Sequence, residues 1–219
     1  MPPEPISVAI LAKAPIAGYA KTRLISALGA NGAAELHERL IQRTVATALK
    51  AAIGPVILWC APDCGHPVFV SLRRCHEIML RAQAEGDLGD RMHAAFVAGP
   101  PASATLLVGT DCPTLTPEHL QDCANELACN DAVFLPAEDG GYVLVGLNRP
   151  EAGLFKDIPW GTAEVMETTR CRLASHGLGW SEPTTLWDLD RPEDLERWRA
   201  LTGEEPTKQP QLNTSRDRG

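Results

Sequence analysis

Lys13, Lys21 and Arg23 lie within a stretch from Pro5 to Ala34 that holds no Asp or Glu, in a chain whose net charge is −8. Such a local inversion of charge suits a phosphate. Two acids could complete the chemistry. Asp111 stands in the run Thr110, Asp111, Cys112, Pro113, and Asp188 in the run Trp187, Asp188, Leu189, Asp190. Mg²⁺ takes one or two carboxylates together with phosphate oxygens and water, so two distant aspartates suffice. Alternation buries Trp187 and Leu189 and projects Asp188 and Asp190 to the other face. Asp190 precedes Glu193 by three residues, the spacing of a capping box, so capping is its expected work and Asp188 is the expected second ligand, with Asp190 as substitute.

Other groups have two readings each. Gln83 offers a donor and an acceptor, and Gly86 and Gly89 allow close approach to a flat ring such as a nucleobase. Asp87 and Asp90 have capping-box spacing, which accounts for these acids but not for Gln83. Asp139, Gly140, Gly141 and Tyr142 form either a hairpin turn or a ligand-facing loop. Trp160, Gly161 and Thr162 precede a helix start, which can receive an anion or simply begin a helix.

The elements that must position these groups follow from the apolar pattern. Ile6 to Ala12 is an almost unbroken apolar run, as a strand buried on both faces requires, and the basic loop begins where it ends. Leu36 to Ala52 repeats at helical spacing and is closed by Gly54 and Pro55. Val56–Cys60, Ile78–Leu80, Thr105–Val108, Ala132–Leu135 and Tyr142–Leu147 read as strands; Pro62 to Arg74 is ambiguous. Leu88, Met92, Ala95 and Phe96 mark one helix. Another has Thr116 as N-cap and Pro117 in its first position, and a third is capped by Thr162 and runs to about Ser175. The alternation predicts a three-layer α/β/α sandwich with a mostly parallel mixed sheet, so that the loop cations and Asp111 meet at the carboxyl ends of its strands.

Composition excludes several classes. The 219 residues, 44% of them apolar, suit one domain over 6–202, with residues 1–5 and 203–219 read as mobile ends. No apolar run spans a membrane and no secretory signal opens the chain, so a cytoplasmic location is expected. The seven cysteines include no CxxC pair and are expected mostly as small buried hydrophobes. The overall negative charge argues against nucleic acid as a partner. A Walker A loop aligned on Lys21 and Thr22 would need glycines where Pro15 and Ala20 stand, and no GxGxxG follows the first strand.

The segments LAKAPIAGYAKTRL, QAEGDLGDRM, GTDCPTL, DGGYVLVGL, IPWGT and DLDRPEDL together resemble a bacterial family of inferred glycosyltransferases within the nucleotide-diphospho-sugar transferase superfamily, which has the glycosyltransferase A-type fold. The first loop is also similar to that of phospholactate guanylyltransferase, and the last segment to those of molybdenum-cofactor nucleotidyltransferases. By that resemblance Ala12, Lys13, Lys21 and Arg23 would meet nucleotide phosphates, and Gln83, Gly86, Asp87, Leu88 and Gly89 the base. Asp111 and Asp188 would hold Mg²⁺ or Mn²⁺, with Lys21, Arg23 and Asp111 catalytic. A small acceptor would lie against Asp139, Gly140, Gly141, Tyr142, Trp160, Gly161 and Thr162. Such an enzyme uses a nucleoside triphosphate or a nucleotide sugar, and a homodimer is compatible with it. Three cations in the first loop suit a triphosphate, hence nucleotidyl transfer to a phosphorylated or anionic acceptor. Glycosyl transfer from a nucleotide sugar is the alternative, and a nucleotide-binding module without catalysis a third.

Overall fold

A computed structural model describes residues 6–99 and 103–203; the readings of residues 1–5 and of the tail beyond 203 fall outside them. Seven strands form one sheet: β1 (Ser7–Lys13), β2 (Val56–Ala61), β3 (Met79–Ala82), β4 (Thr105–Val108), β5 (Ala132–Pro136), β6 (Tyr142–Leu147) and β7 (Trp180–Ser181), in the order β3-β2-β1-β4-β6-β5-β7. All pairings are parallel except those of β6, which runs antiparallel between β4 and β5. The expected mixed, mostly parallel sheet is present.

The central strands are covered on both faces, which is why their sequences are continuous apolar runs. Val8, Ile10 and Leu58 pack against α1 (Ile25–Ala51), α2 (Pro67–Cys75) and α4 (Pro117–Glu126) through Ile41, Val45, Phe69 and Leu120. Ala9, Ile57 and Leu107 pack on the opposite face against α3 (Leu88–Val97) and α5 (Val165–Ser175) through Met92, Phe96, Met166 and Leu173. Three layers result. Chain order steps outward from β1 to β2 and β3, then returns to β4 on the other side of β1. The cleft at the carboxyl ends of β1 and β4 is therefore a topological switch point, where open α/β sheets bind ligands.

A third apolar cluster fixes the C-terminal segment. Leu24, Leu28, Leu36 and Leu40 pack with Trp187, Leu189, Leu195 and Trp198, all buried, so α6 (Asp194–Thr202) and the strand-like run before it fold back on the start of α1. Trp187 and Leu189 point inward as the alternation requires, which leaves Asp188 and Asp190 half-buried.

Several boundaries differ from the sequence reading. α1 begins at Ile25, not near Leu36, with non-helical backbone at Gly29; the alanine- and glycine-rich start carries too few large apolar residues to show a period. The ambiguous segment contains α2, with His66 as N-cap and Pro67 after it. Thr116 caps α4 as expected, its partner in the capping box being His119. Thr162 does not cap α5: its hydroxyl bridges the Pro159 carbonyl and the Glu164 amide one turn earlier, and the helix starts at Val165. Asp190 does not cap α6 either. The Asp194 carboxylate accepts from the Asp190 and Arg191 amides, freeing the Asp190 side chain for other partners. Of the seven free cysteines only Cys60, Cys112 and Cys123 are buried, whereas Cys75, Cys129 and Cys171 are exposed, so most are not core residues. Among the described residues no helix is long and apolar enough to cross a membrane.

Candidate functional site

The loop leaving β1 turns back on itself before α1. Lys13 at the end of the strand donates through Nζ to the Tyr19 carbonyl at 3.0 Å. Lys21 adopts left-handed backbone (φ 47°) at the foot of a 3-10 turn, Thr22–Leu24, whose Leu24 is anchored in the third cluster. That geometry sends the Lys21 side chain inward. It is only 3% exposed, and its ammonium lies 2.7 Å from Asp111 Oδ1, donates to the Leu189 carbonyl at 2.5 Å and sits 3.8 Å from Asp190 Oδ1. Arg23 pairs with Asp190.

Asp111 follows β4 directly and is held by its own backbone, its carbonyl accepting from the Leu189 amide at 2.8 Å. Its Oδ1 is buried beside Lys21, yet the side chain as a whole is 46% exposed, so the remainder faces the cleft. Burial acts to raise its pKa, but the charge and hydrogen bond of Lys21 outweigh that and hold it below the ordinary carboxylate range. His37, on α1, donates through Nε2–H to the Lys13 carbonyl (2.9 Å) and places Nδ1 4.0 Å from Asp111 Oδ1. Its pKa is lowered, first by burial and then by Lys21, against the pull of Asp111. Asp188 behaves in the opposite way to Asp111. Burial, then repulsion from Asp111, Asp139 and Asp190, pushes its carboxyl up to about 7 despite Lys21.

These groups line one cleft of about 630 Å³, the size of a small-ligand site. Lys13, Lys21, Arg23, Gln83, Leu88, Asp111, Asp139, Gly141, Tyr142, Trp160, Gly161, Thr162 and Asp188 all reach it. Ala12, Gly86, Asp87, Gly89 and Gly140 do not, and each has a structural explanation. Ala12 is buried in the sheet. Asp87 forms the capping box with Asp90 at the start of α3. Gly86 abuts Asp90, and a Cβ on Gly89 would lie 2.3 Å from the Phe155 carbonyl oxygen, so helix packing by itself requires that glycine. Gly140, at φ 90°, lets the hairpin pass Ala163, and its carbonyl accepts from the Met166 amide in the first turn of α5. Gln83, for its part, spends its amide nitrogen on the Ala12 and Trp59 carbonyls at 3.1 and 2.9 Å, stitching the ends of β1 and β2. Its oxygen is the group it has to offer.

Three lining residues, His37, Arg91 and Tyr19, have no counterpart in the sequence reading. His37 lies on the apolar face of α1 one turn before Leu40 and Ile41, where nothing in the pattern marks it as polar machinery. Arg91 stands in the quoted α3 segment beside Met92.

Among the described residues no group of three or more His, Cys, Asp or Glu is arranged to hold a metal ion. Asp111 and Asp188 nonetheless place two hard oxygen donors on one cleft, and Asp188 ionises against burial and the repulsion of its acidic neighbours. This donor set fits Mg²⁺ arriving with a phosphate ligand, and suits a metal bound by protein alone poorly.

Residues 44–162 match the family model described as "Uncharacterized protein conserved in bacteria (DUF2064)". Among solved structures, a protein from Desulfovibrio desulfuricans G20, provisionally described as a nucleotide-diphospho-sugar transferase, is 27% identical with TM-score 0.77, over 90% of this chain and 88% of that one. CMP:2-keto-3-deoxy-manno-octonic acid synthetase complexed with CTP is 13% identical with TM-score 0.59, over 90% and 98% of the two chains. A nucleotidyl transferase from Methanothermobacter thermautotrophicus is 14% identical with TM-score 0.59, over 90% and 97%. The comparison with curated proteins gives no match. The fold is thus the one these nucleotide-diphospho-sugar and nucleotidyl transferases share.

Lys21→Met should destabilise the protein at pH 7 by about 1–3 kcal/mol in urea melts, since the buried Asp111 oxygen loses its counter-ion while the exposed part of the carboxylate stays solvated. Because Lys21 depresses the Asp111 pKa, the loss should be full above the ordinary carboxylate range and shrink as pH falls below about 4. Asp188→Asn should do the reverse. The folded-state carboxyl is raised to about 7, so its ionisation costs stability as pH rises. Thermal melts without divalent cation should show little gain at pH 4, and a gain of roughly 3–8 °C above pH 8.

Proposed function

The chain belongs to the bacterial family DUF2064, and from that membership, its cleft and its shared fold we propose that it is a metal-dependent transferase that moves a nucleotidyl group from a nucleoside triphosphate to a small phosphorylated or anionic acceptor. The observation that carries this reading is the meeting of Asp111, Asp188 and Lys21 at one switch-point cleft, with Lys13 and Arg23 at its rim. Asp111 and Asp188 are the residues that would hold Mg²⁺ or Mn²⁺. When bound, such an ion neutralises phosphate charge and polarises the phosphorus under attack.

The chain's own groups do the rest by position and field. Lys13 and Arg23 are placed to neutralise the charge that grows on the leaving phosphates. Lys21 keeps Asp111 ionised and aimed, so its role is to position a carboxylate. An acceptor oxyanion attacks the α-phosphorus in line; the new P–O bond forms as the α–β bridging bond breaks, and its electron pair leaves with pyrophosphate. No protein nucleophile is needed, because positioning and electrostatic stabilisation supply most of the acceleration in phosphoryl chemistry. The fold shared with a synthetase complexed with CTP and with a nucleotidyl transferase is in keeping with a triphosphate donor.

A second reading is supported by the Desulfovibrio protein, the more similar of the solved structures above. In that reading the donor is a nucleotide sugar, attack falls on the sugar carbon and a nucleoside diphosphate leaves. Incubation with the four nucleoside triphosphates or with nucleotide sugars, Mg²⁺ and pooled small anions separates the two. Pyrophosphate release is expected; diphosphate release from a nucleotide sugar would replace the first reading by the second, and neither product would overturn both. Asp188→Asn should lower turnover on the order of 10²–10³-fold in the same assay.

A further inference from the structure

Four cations line the cleft, and three of them touch protein oxygens: Lys13 the Tyr19 carbonyl, Lys21 Asp111 and Leu189, and Arg23 Asp190. The fourth is Arg91 on α3. Its Nε is buried with no hydrogen-bond partner, and among the described residues its guanidinium makes no ion pair. A second buried donor on the cleft is in the same condition, the indole Nε1 of Trp160. The two belong to one wall. Met92, next to Arg91, receives the Tyr142 hydroxyl at 4.0 Å through its sulfur, and the Tyr142 ring meets Trp160 edge-on with centroids 6.3 Å apart.

An unpaired buried donor is costly, more so when charged, so two on one wall mark a place prepared for a ligand that accepts hydrogen bonds. Guanidinium and indole N–H only donate. Their ligand must therefore be rich in oxygen, and the charge of Arg91 makes it an anion. The wall stands apart from the loop cations that would meet the donor's phosphates. The loop cations lead into α1, which covers one face of the sheet, whereas Arg91 belongs to α3 on the opposite face, with Trp160 just ahead of α5 on that side. The rings of Tyr142 and Trp160 and the Met92 side chain give the wall an apolar floor.

Resting on the transferase reading above, we propose that Arg91 and the Trp160 indole form the seat for the acceptor's oxyanion, and that the acceptor is a small organic molecule bearing a carboxylate or phosphate on a short apolar body. Arg91 fixes the charge, Trp160 fixes the orientation, and the ring floor takes the carbon skeleton.

The test titrates the full chain with n-propyl phosphate, with butyrate and with n-propanol, following the ¹⁵N-indole resonance that Trp160→Phe removes. One or both anions should shift that resonance, phosphate or carboxylate according to which moves it, while n-propanol should not. Arg91→Met should weaken the response by about tenfold or more, and Arg91→Lys should keep it within about fivefold, as expected for a charged hydrogen bond worth about 1.5–3 kcal/mol. Because Arg91 pairs with nothing described, the melting temperature of Arg91→Met should not fall. Nucleoside triphosphate binding with Mg²⁺, measured on the same preparations, should change less than about threefold. The proposal is overturned if no anion moves the Trp160 signal, if Arg91→Met leaves the shift intact, or if it weakens nucleotide binding in parallel. A wild-type protein that binds anions but no nucleotide would instead sink the transferase reading and leave the anion seat standing.

Discussion

The ammonium of Lys21 holds the site together. It joins three stretches of chain that are remote in sequence: the loop after β1, the acid after β4 and the run before α6. A lysine so nearly excluded from water is tolerated only with its charge answered, and here a carboxylate and a carbonyl answer it. Around it the backbone adds ties of its own, from the Leu189 amide to the Asp111 carbonyl and from the Arg43 guanidinium to the Pro113 carbonyl at 2.7 Å. The segment carrying Asp188 is thereby registered against β4, and the third apolar cluster presses it there.

This arrangement gives the cleft two unlike carboxylates. Asp111 is held ionised by its lysine, whereas Asp188 is disfavoured as an anion first by burial and then by the acids around it. On the proposed reading the clustered acids would receive a cation, and the rim cations the anion that accompanies it. The two halves of the cleft draw on different layers of the sandwich. The loop cations lead into α1, while Met92 on α3, Tyr142 on β6 and Trp160 ahead of α5 supply the ring-lined wall opposite.

Much of this was legible in the residues. Apolar runs without alternation gave the buried parallel strands, and Thr116 with Pro117 gave a helix start, because both signals are local. The pairing of Trp187 and Leu189 inward with Asp188 outward also follows from period two alone. What stayed hidden depends on contacts between distant segments. Lys21 read as a free phosphate ligand, since nothing local shows that Asp111 and Leu189 would close on it. Gly89 and Gly140 read as ligand-facing for want of Phe155 and Ala163, against which they pack. Asp190 read as a cap from its spacing to Glu193, whereas the Asp194 carboxylate turns back on the Asp190 and Arg191 amides and the helix start has no side-chain cap. His37 gave no signal, and Arg91 none beyond its place in the segment QAEGDLGDRM, each being one polar residue among others in a helix.

The opposed ionisation of the two aspartates tests the account most directly. Titrating side-chain carboxyl ¹³C resonances of the metal-free protein, assigned with Asp111→Asn and Asp188→Asn, should place Asp188 near pH 7 and Asp111 below the ordinary aspartate range. Both groups titrating together near pH 4 would show that neither Lys21 nor burial among the neighbouring acids acts on them, and would contradict it.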